Sequence, residues 1–397
     1  MMEDSKRIQG EIESLAAKKV REMPPSGIRK FFDLAEELPD VISLGVGEPD
    51  FQTPEHIREK GMASLKEGKT FYTSNAGLLE LRQAISGYAK KRYGLDYDPK
   101  KEILVTVGGS EGVDIALRAL VDPGDEVICP DPSFVCYGPC TILAGGVPVS
   151  VRLKEENRFR LTREDLEKVI TPKSKVLILS YPNNPTGAIM EREDLEALVP
   201  VIKEHNLVVV SDEIYSELTY GKDHVSMANL PGMQERTVVI NGFSKSYAMT
   251  GWRMGYVLGH KDIVSQMTKI HQYAIMCAPT MSQYAAVEAL ENGDEDVSRM
   301  RGAYDERRKY LYQEFQRLGM PCFEPQGAFY MFPNIQRYGL DCETFAMKLL
   351  EEEQVAVVPG NAFGNSGEGF LRVSYASSME NLKEAVRRIE RFLGRLA

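Results

Sequence analysis

The chain has 397 residues, with 48 lysines and arginines against 58 aspartates and glutamates, a formal net charge of −10, 43% hydrophobic residues and 27% charged ones. That is the composition of a globular protein long enough for two or three domains. The acidic balance argues against a nucleic-acid binder, which needs a basic face to neutralise phosphate. Apolar stretches such as Val176–Leu179, Leu207–Val210 and Tyr273–Ala278 are too short to cross a bilayer. The charged start lacks the apolar core of a secretory signal, so the expected location is the cytoplasm. The six cysteines (129, 136, 140, 277, 322, 342) form no C-x-x-C pair, and the histidines at 56, 205, 224, 260 and 271 stand alone. Neither a disulfide framework nor a metal centre is expected.

Taken in chain order, residues 10–35 carry a polar helical pattern interrupted at Pro24-Pro25-Ser26-Gly27, with a second helix over Arg29–Glu37. From about residue 100, apolar strand-like runs (103–107, 126–129, 147–151, 175–180, 207–211, 237–240) alternate with helical periodicity (111–120, 163–170, 192–205). Such alternation predicts a parallel sheet covered on both faces, and the β-branched, nearly continuous runs suit strands buried on both sides. Beyond Trp252 a long helical pattern covers 262–290 and a charged one covers 297–318. Short strand-like pieces come next at Phe329–Phe332, Val355–Val358 and Phe370–Ser374, then a terminal helix over Met379–Leu396. The expected layout is an N-terminal segment (1–48) packing with a smaller α+β domain (291–397), around a large α/β domain (49–290).

In open α/β sheets ligands bind beyond the carboxyl ends of the strands. The run 103–107 is followed by Gly108-Gly109-Ser110-Glu111-Gly112 opening a helix, where exposed N–H groups and the helix dipole favour an anion. Alone, this reads more readily as a tight strand-to-helix turn; it is neither a dinucleotide fingerprint nor a P-loop. The run 175–180 leads into Tyr181-Pro182-Asn183-Asn184-Pro185-Thr186-Gly187, by itself a proline-rich Asx turn. Asp212 and Tyr215 come after 207–211, and Asp212 alone would read as a helix cap. After 237–240 come Asn241-Gly242-Phe243-Ser244-Lys245-Ser246 and Thr250-Gly251-Trp252-Arg253. Lys245 sits among small and apolar residues, which suits an amine that must be neutral to react. Arg372, inside the apolar run Phe370–Ser374, is costly unless paired.

In this order the features resemble the class I aminotransferases, pyridoxal-phosphate enzymes of fold type I, and most closely their prokaryotic and archaeal aspartate and aromatic branch. The resemblance runs from Leu44-Gly45-Val46-Gly47-Glu48-Pro49-Asp50-Phe51 to Leu371-Arg372-Val373-Ser374-Tyr375. It implies a large domain with a mostly parallel seven-stranded sheet sandwiched by helices, plus the smaller α+β domain. It implies pyridoxal 5'-phosphate as cofactor, with Lys245 as Schiff-base lysine and proton shuttle. Asp212 would face the pyridine nitrogen, Tyr215 and Asn184 the ring's 3-oxygen, and Phe134 the ring face. Gly109, Ser110, Glu111 (through backbone N–H groups and the Ser110 hydroxyl), Ser244 and Arg253 would hold the phosphate. Tyr72 would reach in from the second subunit of a homodimer. Arg372, with Gly47 and Asn184, would hold the substrate carboxylate, a task suited to a planar guanidinium. One departure stands out: many relatives carry a serine where this chain has Gly242, leaving Ser244 as the nearby hydroxyl.

The resemblance implies amino transfer from an L-amino acid, aspartate or aromatic, to a 2-oxo acid such as 2-oxoglutarate, by a ping-pong mechanism. A cysteine-conjugate β-lyase and an N-acetyl-diaminopimelate-type aminotransferase are the alternatives on the same fold. The stretch Pro25–Phe32 resembles the branch's segment that closes over substrate. A DNA-binding regulator built on this fold would need a helix-turn-helix domain ahead of Leu44, where there is little room, and a nicotinamide dehydrogenase would need the missing fingerprint.

Overall fold

Twelve short strands, separated by helices, divide between one large sheet and a group of smaller ones in the computed structural model, which describes residues 15–23, 27 and 40–396. The helix expected over Arg29–Glu37, and all of Pro25–Phe32 except Gly27, lie outside those residues. After β1 (Ile42–Ser43) come β2 (Ile103–Thr106), β3 (Glu126–Asp131), β4 (Val147–Arg152), β5 (Ser174–Ser180), β6 (Val208–Asp212), β7 (Thr237–Gly242) and β8 (Gly255–Leu258). The last seven form one sheet in the order β2-β8-β7-β6-β5-β3-β4. Only β8 runs against its neighbours; the other pairs are parallel, as expected. The expected runs do not include β8: four residues between Arg253-Met254 and Gly259 give too little apolar length to register as a strand.

Alternation of side chains along each strand sends successive residues to opposite faces. Leu177, Leu179 and Val209 pack with Leu195, Leu198 and Val201 of the helix Arg192–Glu204. Their chain neighbours Val176, Ile178 and Val210 pack with Val113 and Leu117 of the helix Gly108–Leu120 and with Val264 and Met267 of the helix Lys261–Ala274. The sheet is thus covered on both sides. The single helix expected over 262–290 is two helices, Lys261–Ala274 and Thr280–Asn292. Pro279, which has no N–H to donate, stands at the start of the second, and Met276 takes a left-handed φ of 74°. Helices Glu55–Lys66 and Leu79–Tyr93 escape the sequence pattern, because their mostly polar residues show little periodicity. They pack on Thr280–Asn292 through Ile57, Leu81, Ile85, Ala285 and Ala286.

The C-terminal third adds β9 (Tyr330–Met331), β10 (Val355–Ala356), β11 (Val358–Pro359) and β12 (Leu371–Ser374). The order β11-β12-β9 is antiparallel throughout, and β1 joins β10 in parallel. The terminal helix Met379–Leu396 buries Leu382, Ala385, Val386, Ile389, Phe392 and Leu393, a stripe at helical spacing. It packs in one core with Phe345, Leu349, Leu371 and Val373. Leu44 ties the N-terminal segment to this region: Ser374 N–H donates to Leu44 O at 2.7 Å, and Leu44 N–H to Ala356 O at 2.8 Å. Among the described residues no helix is long and apolar enough to cross a membrane.

Candidate active site

The parallel strands end on one side of the sheet, and the segments after β2, β3, β5, β6 and β7 open into a common cavity of about 410 Å³. Gly109, Ser110, Phe134, Asn184, Asp212, Tyr215, Ser244, Lys245 and Arg253 line it from the large sheet's side. Gly47 reaches it from the N-terminal segment, and Arg372 from β12. Two expected residues do not line this cavity, Tyr72 being expected in a partner's cavity and Glu111 only through its backbone N–H. Tyr72 is 82% exposed. Glu111 turns its carboxylate away to accept the Val107 N–H and to meet His271 Nδ1 at 2.6 Å, so only its backbone could serve the cavity.

Lys245 donates to the Gly47 carbonyl at 2.7 Å. Burial lowers the pKa of its ammonium to about 8; Glu48 and Asp212 oppose that shift, while the guanidiniums of Arg372 and Arg253 reinforce it. Such an amine holds a far larger neutral fraction near physiological pH than a free lysine does, and that fraction can act as nucleophile or base. Asp212 is buried at the end of β6, and burial pushes its carboxyl above the ordinary range. A Tyr137 hydroxyl at 2.8 Å and the Ile214 N–H at 3.2 Å oppose that shift by hydrogen-bonding the anion.

Two guanidiniums give the cavity its anion-binding character. Arg253 lies against the start of the helix Gly108–Leu120, where unpaired N–H groups and the dipole also favour negative charge. A Cβ on Gly108, whose φ is +76°, would come within 2.5 Å of an Arg253 amino nitrogen, so glycine is what permits the approach. Arg372 is buried, donates to Asn184 Oδ1 at 3.0 Å and to the Gly45 carbonyl, and leaves its Nε without a partner among the described residues. Among those residues neither arginine forms a salt bridge with a carboxylate.

Against known proteins, the family model of aminotransferase class I and II matches residues 39–389. The chain belongs to that family. A Bacillus subtilis protein named putative aminotransferase YugH is 51% identical over 374 residues, 94% of this chain and 97% of its own length. An aspartate aminotransferase of Pyrococcus abyssi is 47% identical over 372 residues, covering 93% of this chain and 96% of its own. The crystal structure of an aromatic aminotransferase from Pyrococcus horikoshii superposes with a TM-score of 0.89 at 46% identity, over 92% of this chain and 100% of that one. This chain is therefore an aminotransferase of fold type I, from a family that uses pyridoxal phosphate.

Several residues in or beside the aminotransferase cavity carried no expectation. Tyr137, which holds Asp212, lies in a run of apolar residues and cysteines that reads as core; its phenol also lies 2.8 Å from Ser180 Oγ. Glu48 accepts a hydrogen bond from Thr250, whose carbonyl accepts from Arg253 at 2.9 Å. Tyr330 and Phe363 place their rings 4.6 and 4.7 Å from the Arg372 guanidinium carbon. Gly242 has a packing reason of its own. It is the register partner of Gly255, and a Cβ there would meet Met254 O at 2.9 Å and Gly255 Cα at 3.0 Å. A serine at this position would have to push β7 and β8 apart.

Proposed function

We propose that this aminotransferase binds pyridoxal 5'-phosphate in the cavity and moves the amino group of L-aspartate and aromatic L-amino acids to 2-oxoglutarate. The observation that carries the reading is the buried, carboxylate-free guanidinium of Arg372 in the same cavity as the acidified amine of Lys245. The residues fit the cofactor. Gly109, Ser110 and the Glu111 backbone, with Ser244 and Arg253, suit a dianionic phosphate; Asp212 suits a protonated pyridine nitrogen; Tyr215 and Asn184 suit the ring oxygen; and Phe134, half-buried at the rim, suits its face.

When bound, the cofactor supplies the electron sink for cleavage at the substrate α-carbon. The chain's own part is to orient and to move protons. Arg372, with Gly47 and Asn184, holds the substrate carboxylate through a two-pronged contact. Lys245, close to the Gly47 carbonyl, would in its neutral form take the proton from the substrate α-carbon and pass it to the cofactor carbon that carries the transferred amino group. Asp212 keeps a positive partner charged across 2.8 Å hydrogen-bond support from Tyr137.

Phe71, Tyr72, Tyr273 at the end of the helix Lys261–Ala274, Ile275 and Met276 are exposed on adjoining segments, tied by Thr280 Oγ1 to Phe71 O at 2.7 Å and Asn75 Nδ2 to Met276 O at 2.8 Å. An apolar surface of this kind supports a homodimer in which Tyr72 serves the partner's cavity. The division at 48/49 and 290/291 into segment, large and small domains, and a cytoplasmic location, belong to the same proposal. A panel of amino donors with 2-oxoglutarate, following glutamate, tests the reading. Turnover with aspartate and with phenylalanine or tyrosine is expected. Pyruvate released from a cysteine conjugate with no 2-oxo acid present, and no glutamate from any donor, would overturn it in favour of a lyase.

A further inference from the structure

Tyr330, wholly buried in β9, touches three parts of the site at once. Its hydroxyl lies 2.7 Å from the Tyr215 hydroxyl. Its ring faces the Arg372 guanidinium, 4.6 Å from centroid to carbon. A Cβ added to Gly47 would fall 2.7 Å from its hydroxyl, so the backbone segment whose carbonyl accepts from Lys245 passes directly beside it. Sheet register explains the meeting. Tyr330 stands opposite Ser374 across the β9–β12 ladder, and Arg372, two residues from Ser374, projects from the same face as its diagonal neighbour.

Resting on the cofactor and carboxylate roles proposed above, we propose that Tyr330 is a positioning residue that couples the Arg372 fork to the Tyr215 phenol. Its ring, together with that of Phe363, holds the guanidinium flat for a carboxylate. Its hydroxyl donates to Tyr215, which frees the single Tyr215 proton to point into the cavity. No other hydrogen bond engages the Tyr330 hydroxyl among the described residues; the distance allows either phenol to donate, and the Arg372 guanidinium lying over the Tyr330 ring favours Tyr330 as the donor. Two phenols in series polarise each other, so the second donates more strongly than it would alone.

Two variants separate the ring from the hydroxyl, read on the cofactor-loaded protein. Tyr330→Phe keeps the stack and loses the donor. The pH at which the visible band of the bound cofactor titrates is expected to rise by about half a unit or more, because Tyr215 then stabilises the ring oxygen less. Affinity for maleate, a non-reacting dicarboxylate, is expected to stay within about threefold of wild type in this variant. Tyr330→Leu removes the ring as well and is expected to weaken maleate about tenfold. Tyr330→Phe differs by one oxygen and keeps the packed ring, so it remains decisive where Tyr330→Leu does not fold. An unmoved titration in Tyr330→Phe, or unchanged maleate affinity in a folded Tyr330→Leu, overturns the coupling while leaving the cofactor reading intact. A wild-type protein that develops no visible band with pyridoxal phosphate overturns both.

Discussion

The phenol of Tyr137 and the carboxylate of Asp212 meet at 2.8 Å in a pocket with no paired cation among the described residues. Asp212 therefore keeps a raised pKa: burial outweighs the hydrogen bonds that it receives. A carboxyl raised in the folded state contributes stability that is fully present below the ordinary carboxylate range and is lost as pH climbs through the raised value. At neutral pH its charge burdens the cofactor-free protein. Asp212→Asn, cofactor-free, is expected to melt above cofactor-free wild type at neutral pH, the gap closing toward about pH 4. With pyridoxal phosphate the order reverses, since only the carboxylate meets a cationic ring. Thermal melts with and without the cofactor check both signs; an asparagine variant that melts lower without cofactor at neutral pH contradicts the argument.

Lys245 loses its proton at about 8 rather than 10.5, and the neutral amine is the form that attacks an aldehyde. Colour development when cofactor-free protein meets pyridoxal phosphate should therefore accelerate with pH around a midpoint near 8. Stopped-flow absorbance measures this directly, and a midpoint near that of free lysine would count against it. Lys245→Ala is expected to lose at least about a thousandfold in turnover.

Replacing Arg372 by lysine keeps the charge but not the fork. The donor KM is expected to rise about 10- to 100-fold, the loss of one charge-assisted hydrogen bond, with the bound cofactor's absorbance unmoved. Steady-state kinetics beside a spectrum decide it: a changed spectrum with an unchanged KM would assign Arg372 to the cofactor instead.

Gly242→Ser is expected to destabilise the fold by about 1–3 kcal/mol, because its Cβ presses on the Met254 carbonyl and on Gly255 across the β7–β8 ladder. Denaturant unfolding measures the cost. Unchanged stability would mean that the ladder yields freely and that packing does not require glycine at 242.

How far a residue's role is legible in the sequence depends on how local its signal is. Lys245, Asp212 and Asn184 each stand at or just beyond the end of a buried strand, so the strand-end rule and motif order suffice to bring them together. Tyr330 and Tyr137 sit in apolar runs that read as core, and core is what their rings are; only the register opposite Ser374, or the fold of the chain after β3 back toward β6, gives their hydroxyls work. Tyr72 illustrates the converse: its motif is local, but it stands 82% exposed and outside the cavity, and in the proposed homodimer its role would fall to the partner's cavity. Pro279 marks the break between two helices, but helical periodicity resumes so soon after it that the pattern looks continuous.

Residues 44–47 supply the acceptor for Lys245, one acceptor for Arg372, and a link to both β10 and β12. The front of the polypeptide is in this sense masonry rather than trim. A chain cut past residue 47 would forfeit the acceptor for Lys245 and one acceptor for Arg372 together, and the pocket with them.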